Sequence, residues 1–426
     1  MPASEAAVRE GWAARLFAAR PDEIPAVLAS FLLFFLLFSS YFMLRPVRET
    51  FGIAGGVDNL QWLFLGTFIA TLCVVPLYGA LSAHLPRRLL VPISYTFSAI
   101  VMTGFAASLI ADPGNIWIAR GFYIWLSVFN LFVVSIAWSL MADIFSPEQA
   151  RRLFGQIAAG ASLGGLAGPI LSGLLVAPLG HAGLLLLSTA LLLATLLCVR
   201  FLFGWRRSHG AAGSHGTSRQ PIGGGIWAGI TLVLRSRYLL AISLFVILLT
   251  SVTTFLYFEQ ARIVKATFAD PIRQTQVFSA IDTTVQVLTI LAQIFFTGQL
   301  ARRLGVTALL IVVPVLMVLG FGVLATAATF PVLAAVMIVR RVGEYALVRP
   351  GREMLFTAVD AETKYKAKNA IDTVVYRGGD ALSAWANAGI VAVGSVTAAA
   401  LVGAVLAALW AVIGVFVGRR HDRIAA

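Results

Sequence analysis

The chain has 426 residues, of which 59% are hydrophobic and 12% charged, and its mean hydropathy is +0.89. A soluble chain carries about 25% charged residues, so this one cannot cover itself with polar surface, and lipid is its solvent. The formal charge of +13 then reads as loop cations that orient membrane helices, and nucleic-acid binding is not implied.

The N-terminus is a short, Arg-bearing, amphipathic segment with no cleavable signal. A membrane span needs about 20 apolar residues, and twelve such stretches follow, at 24–44, 59–81, 89–110, 115–141, 153–177, 181–203, 238–259, 275–299, 305–327, 331–349, 369–393 and 396–418. An even number places both termini on one side. Basic residues crowd that side, as in Arg87-Arg88, Arg151-Arg152, Arg206-Arg207, Arg302-Arg303, Lys364, Lys366, Lys368 and Arg419-Arg420. The opposite loops "ADPGN", "APLGHAG", "TAATF" and "GSVTAA" hold none, and only 260–274 breaks the rule, with Arg262, Lys265 and Arg273. Both termini are therefore expected in the cytoplasm, on a bacterial inner membrane.

The longest polar stretch, "GWRRSHGAAGSHGTSRQPIGGG" at 204–225, reads as a flexible linker. It divides the chain into an N-terminal six-helix bundle (1–203), a linker (204–237) and a C-terminal six-helix bundle (238–426). Cys73 and Cys198 lie in apolar runs, no HExxH or CxxC occurs, and no metal or cofactor is expected. The two linker His are read as linker composition.

The halves echo each other. "GALSAHLPRRLL" (79–90) matches "GQLARRLGVTALL" (298–310), and 145–168 matches 359–382 at a constant offset that sets Gly164-Gly165 on Gly378-Gly379. Twelve spans, a central basic linker and a Gly-plus-basic loop after spans two and eight resemble the major facilitator superfamily. In the family's loop word the acidic position is held here by Ala83 and Arg302. The resemblance implies an all-α integral membrane fold in which twelve helices form two six-helix pseudo-repeats. It also implies that spans 1, 4, 7 and 10, with 2, 5, 8 and 11, line a midplane site between the halves.

Ionisable groups at hydrocarbon depth are costly and mark function by default. They fall on those helices: Arg120 and Asn130 on span four; Asp282 and Gln286 on span eight; Arg340, Arg341 and Glu344 on span ten; Asp372, Tyr376, Arg377 and Asp380 on span eleven. Arg340, Arg341, Arg377, Arg120, Asn130, Tyr376 and Gln286 are the candidates for binding an anionic solute, because guanidinium forks suit phosphate and carboxylate. Asp282, Glu344, Asp372 and Asp380 are the candidates for carrying a coupling proton. Asp282 and Asp372 lack an in-helix basic partner. The competing reading of the pairs with helical spacing is internal neutralisation that braces helices.

One word occurs twice. Arg45-Pro46-x-Arg48-Glu49 is expected to end span one, and Arg349-Pro350-x-Arg352-Glu353 to end span ten, with proline stopping or kinking each helix. These six charged residues are the gating candidates, against the plainer reading of helix ends with snorkelling cations. The segment "SYFMLRPVRETFGIAGG" resembles the first-span end of the ATP/ADP translocase-like nucleotide transporters, which implies exchange of nucleotides or import of an organic phosphate. Those carriers are similar to one another in using intramembrane lysines, whereas the four Lys here lie in loops or at helix edges. The reading is an alternating-access transporter of an anionic organic solute, coupled to a proton or a counter-substrate, monomeric in the lipid bilayer and not an enzyme. A lipid flippase of the same fold and a proton-coupled drug efflux pump are the alternatives.

Overall fold

The computed structural model describes residues 19–209 and 226–425. The expected amphipathic N-terminal segment and the core of the linker, including His215, lie outside the described residues, as do the side chains of Ala83 and Arg302.

The described residues are helical almost throughout. The helices are α1 (Ile24–Ala54), α2 (Leu60–His84), α3 (Arg87–Ala111) and α4 (Ile116–Ile144). The run Pro147–His209 follows. Its 63 residues would extend about 95 Å at 1.5 Å per residue, three times a hydrocarbon core of about 30 Å. It breaks at Gly180, whose φ of 66° is open to glycine but not to a residue with a Cβ, giving α5 (147–179) and α6 (181–209). A short helix α7 (Ile226–Arg235) lies in the stretch expected to be linker. Then come α8 (Arg237–Thr267), α9 (271–304), α10 (306–326), α11 (330–355), α12 (361–393) and α13 (Val396–Ala425). Gly305, at φ 74°, separates α9 from α10. Nine described helices are long and apolar enough to cross a membrane. Splitting Pro147–His209 and counting the more polar α11 and α12 makes twelve.

Two expected boundaries are wrong. Arg45-Pro46 does not end the first span, because α1 runs on to Ala54. Likewise Arg349-Pro350 does not end the tenth, which continues to Leu355. Lipid offers a freed backbone group no partner, so a helix that breaks leaves orphans. Met43, Leu44, Val47 and Thr50, all fully buried around Pro46, hold α1 helical instead. Arg262 and Lys265, expected in a loop, belong to α8.

The packing forms two compact units. One comprises the described parts of Met1–Pro46, Leu77–Gly114 and Phe129–Ser218; the other comprises those of Val47–Pro76, Asn115–Val128 and Arg219–Ala426. Helices α1 and α2 pass from one unit to the other at Pro46 and Pro76, where the missing N–H makes the helix easiest to bend.

Within the first unit α5 lies directly on α1. A Cβ at Gly160 would stand 2.3 Å from the Phe31 carbonyl oxygen, and one at Gly164 would stand 2.4 Å from that of Phe35. Small residues every fourth position permit such approach. At the repeat partner of Gly165, Gly379 on α12, an added Cβ would stand 2.5 Å from Thr250 Oγ1 of α8 in the second unit, so the equivalent helix pair is close in both repeats. Glu23 ties the start of α1 to α5, accepting from Arg152 Nη2 (2.9 Å), Gln149 Nε2 (3.0 Å) and the Arg20 amide (2.9 Å). Burial pushes its carboxyl up, but the hydrogen bonds from Arg20, Gln149 and Arg152 outweigh burial and hold it below the ordinary range.

Gly164→Ala is expected to lower the melting temperature of purified protein, since overpacking costs about 1–3 kcal/mol. Gly155→Ala, where no atom lies within 4 Å of the new methyl, is the control and leaves it unchanged or slightly raised. Because the Glu23 carboxyl is depressed in the fold, the stability it adds is present above the unfolded carboxylate range and disappears as pH falls through the folded value. The gap in melting temperature between wild type and Glu23→Gln should therefore be constant near neutrality and shrink once the pH drops below about 4.

Candidate functional site

The deep charges gather on α8, α9, α11 and α12 of the second unit. Arg340 Nη1 donates to Glu344 Oε2 at 2.6 Å and to Thr253 Oγ1 of α8 at 2.9 Å. Arg341, the next residue, points elsewhere. It pairs with Asp282 of α9, so the carboxylate without an in-helix partner finds its cation on a different helix. Both side chains of that pair are almost completely buried, whereas Glu344 keeps 17% of its side chain accessible. On α12, Arg377 Nη1 lies 3.6 Å from Asp380 Oδ2, while Asp380 Oδ1 accepts from Thr254 Oγ1 of α8 at 3.3 Å. Arg377 retains 30% of its side chain accessible. Arg340, Glu344, Tyr376, Arg377 and Asp380 lie within electrostatic range of one another.

Three helices are locally under-wound into π turns: Gln293–Thr297 in α9, Glu344–Val348 in α11 and Ile371–Val375 in α12. Single π turns mark functional sites frequently. The one in α11 has a local cause. Pro350 has no N–H to give the Ala346 carbonyl, and its ring crowds that oxygen. Thr297 Oγ1 of α9 donates to it instead, at 2.9 Å, while Gln293 Nε2 donates to the Tyr345 carbonyl at 3.3 Å. The two π turns are thus stitched side chain to backbone.

At the arginine-poor end of the same unit, α1 closes against α8 and α9. Thr50 and Thr275, both fully buried, share a hydrogen bond of 2.7 Å. Arg48 Nη2 donates to Glu49 at 2.5 Å and its guanidinium lies over the Tyr123 ring. Tyr257 is in hydrogen-bonding contact with Glu49 and packs edge-on against Phe64 and Tyr123. Trp62 meets Trp385 edge to face, with ring centroids 4.8 Å apart.

The other expected residues are dispersed. Arg120 Nε donates to the Gly55 carbonyl at 2.9 Å and the guanidinium stacks on Trp117; it caps α1 and stands outside the deep cluster. Asn130 and Arg45 are half-buried in the first unit, Arg45 over the Phe42 ring. Gln286 is half-buried one turn from Asp282. Arg352 Nη2 lies 3.2 Å from Asp372, and Lys368 Nζ donates to Glu353 at 2.5 Å, while Arg349 is exposed. Sequence spacing missed Glu259, Arg262 and Asn387. Arg262 joins the buried Glu259 (3.0 Å) to Asn387 on α12 (2.8 Å). Their i,i+3 spacing was visible, but a span drawn to end at 259 hid it.

A likeness to known proteins now has a structural footing. The family model of the Major Facilitator Superfamily matches residues 26–269. The chain belongs to the Major Facilitator Superfamily. The model described as TLC ATP/ADP transporter matches residues 212–420 of this transporter. The "ADP,ATP carrier protein 1" of Chlamydia muridarum (strain MoPn / Nigg) is 24% identical, over 88% of this chain and 84% of its own length. Among solved structures the fold is shared with the nucleoside transporter NupG, at 14% identity and TM-score 0.61 over 93% of this chain and 99% of that one. It is shared also with the POT family transporter PepTSo, at 14% identity and TM-score 0.66 over 95% and 99%. This chain is a multi-pass membrane transporter.

Removing one partner of a buried pair leaves an uncompensated charge at a cost of about 3–5 kcal/mol. Asp282→Asn is therefore expected to lower the melting temperature sharply, and Asp282→Asn/Arg341→Met to recover most of the loss, because both charges have then gone.

Proposed function

We propose that this protein is an alternating-access secondary transporter of an anionic organic solute, with Arg340 as the first contact of the cargo's phosphate or carboxylate and Arg377 as the second. The observation that carries this is the difference between two neighbouring arginines. Arg341 is closed in a buried pair with Asp282, a brace between α9 and α11. Arg340 is buried but holds a half-open carboxylate from its own helix. Arg377 is held loosely, at 3.6 Å. Arginine forks favour planar oxyanions, and Tyr376 adds a hydroxyl and a ring beside them. Glu344, the most accessible carboxylate of the three deep pairs, is the best placed for the proton; Asp372 and Asp380 stand behind it.

The match of the C-terminal half to the ATP/ADP transporter model, which covers Arg340, Arg341 and Arg377, and the name of the chlamydial relative favour a nucleotide or another phosphate compound. The two sequence repeats, 1–203 and 238–426, would be the moving halves, with Arg48 and Glu49 guarding one end and Arg352 with Glu353 the other. The arginine-rich loops support a bacterial inner membrane carrier with both termini in the cytoplasm, working as a monomer.

A lipid cargo is the second reading. It is favoured by a crevice of about 510 Å³ between α9 and α11, lined by Phe296, Leu300, Val342 and Leu347, with Arg303 and Gln299 as its polar groups.

A melting-temperature screen decides between them. A ligand that binds only the folded state at 100 times its Kd adds about 2.7 kcal/mol. Nucleotides or sugar phosphates are expected to raise the melting temperature of wild type and to lose that effect in Arg340→Gln. A rise with lysophospholipids alone moves the lipid reading to first place, and a rise with cationic drugs alone overturns the anion site.

A further inference from the structure

We propose that Glu344 stands in for the cargo at Arg340, so that this carrier reorients empty and performs net transport instead of strict one-for-one exchange. The inference rests on reading the deep cluster as the anion site, and deepens it.

The cluster holds three guanidinium groups, on Arg340, Arg341 and Arg377, and three carboxylates, on Glu344, Asp282 and Asp380. Without cargo its formal charge is zero. A carrier that turns over must pass through a state in which the site is dry, and an ion dried without its partner costs several kcal/mol. A cluster made only of arginines could make that passage only with an anion aboard. Here Glu344 supplies the anion. It sits one turn from Arg340 on the same helix, 2.6 Å from the guanidinium, where a phosphate or carboxylate oxygen of the cargo would lie.

The geometry also says why Glu344 can be displaced and Asp282 cannot. Glu344 opens the π turn of α11, is 17% accessible, and meets its arginine along one helix, so its rotation disturbs no interhelical contact. Asp282 is 4% accessible and bridges two helices.

The test needs no cargo, so it can fail while the melting screen succeeds, and the reverse. The reporter is a single cysteine, Thr50→Cys, in a Cys73→Ser/Cys198→Ala background. Thr50 is fully buried against Thr275, so its thiol meets a maleimide only when the arginine-poor end parts. Labelling is followed in purified protein at pH 8 with no solute added. The parent is expected to label steadily to completion. Glu344→Gln, which leaves Arg340 uncompensated in the dry state, is expected to slow labelling roughly tenfold or more. Arg340→Gln/Glu344→Gln, neutral on both sides, is expected to return it to within about threefold of the parent, an energy difference of less than 1 kcal/mol. Elution profile and melting temperature verify that each variant is folded; if Glu344→Gln is not, Arg340→Gln alone carries the same comparison. A parent thiol that stays unreactive, a single variant that labels as fast as the parent, or a double variant as slow as the single overturns the proposal.

Discussion

A guanidinium ion cannot be left alone in hydrocarbon, and the second unit is organised around that constraint. Six of its buried or half-buried arginines meet a carboxylate or a carbonyl: Arg340 with Glu344, Arg341 with Asp282, Arg262 with Glu259, Arg48 with Glu49, Arg352 with Asp372, Arg120 with the Gly55 oxygen. Such pairs are weak as sources of stability, because desolvation cancels much of the attraction. They are strong as specifiers, because a helix that slips by one turn strands a charge. The register of α9 against α11 is fixed in this sense by one pair, and that of α8 against α12 by Arg262 with Asn387 and Thr254 with Asp380.

The backbone shows a second consequence of lipid as solvent. Prolines that would end a helix in water are absorbed here. At Pro350 the local winding changes and a neighbouring threonine takes over the orphan carbonyl. At Pro46 and Pro76 the helices continue, and it is there that α1 and α2 change packing unit. The twin Arg-Pro words thus serve a purpose other than termination. Each sets a proline inside a continuing helix with charged groups two and three residues beyond it, and in each the arginine two residues past the proline is paired with a carboxylate.

How much of this was readable from residues alone follows from the range of each interaction. The spans, the polar linker and the internal repeat are carried by composition and local words, and they suffice for the fold class. The segregation of charge onto α9, α11 and α12 was equally plain. Pairing was read only where it falls at helical spacing, so Arg340 and Arg341 were both set against Glu344; the structure keeps the first, whereas Arg341 and Asp282, 59 residues apart, had no spacing to betray them. The same holds for Thr50 and Thr275, two unremarkable residues whose hydrogen bond joins distant segments. Arg120 failed differently. Its position suggested a cavity, but the nearest unsatisfied group was the end of α1, and a charged donor goes to the carbonyl it can reach.

The contrast between Arg340 and Arg341 condenses the argument. Successive residues on an α-helix point about 100° apart, so two adjacent arginines on one span face different neighbours. Here Arg341 turns toward α9 and Arg340 toward α8. The side that meets a fixed carboxylate on another helix becomes structure. The side that meets a hydroxyl and a carboxylate from its own helix keeps a movable counter-ion, and only a movable counter-ion can yield its place to a solute. On the proposed reading, binding in this cluster depends less on how many cations are buried than on which of them is neutralised from within its own helix. By that criterion Arg340 and Arg377, paired at i,i+4 and i,i+3, would form the responsive side of the cluster, and Arg341 its frame.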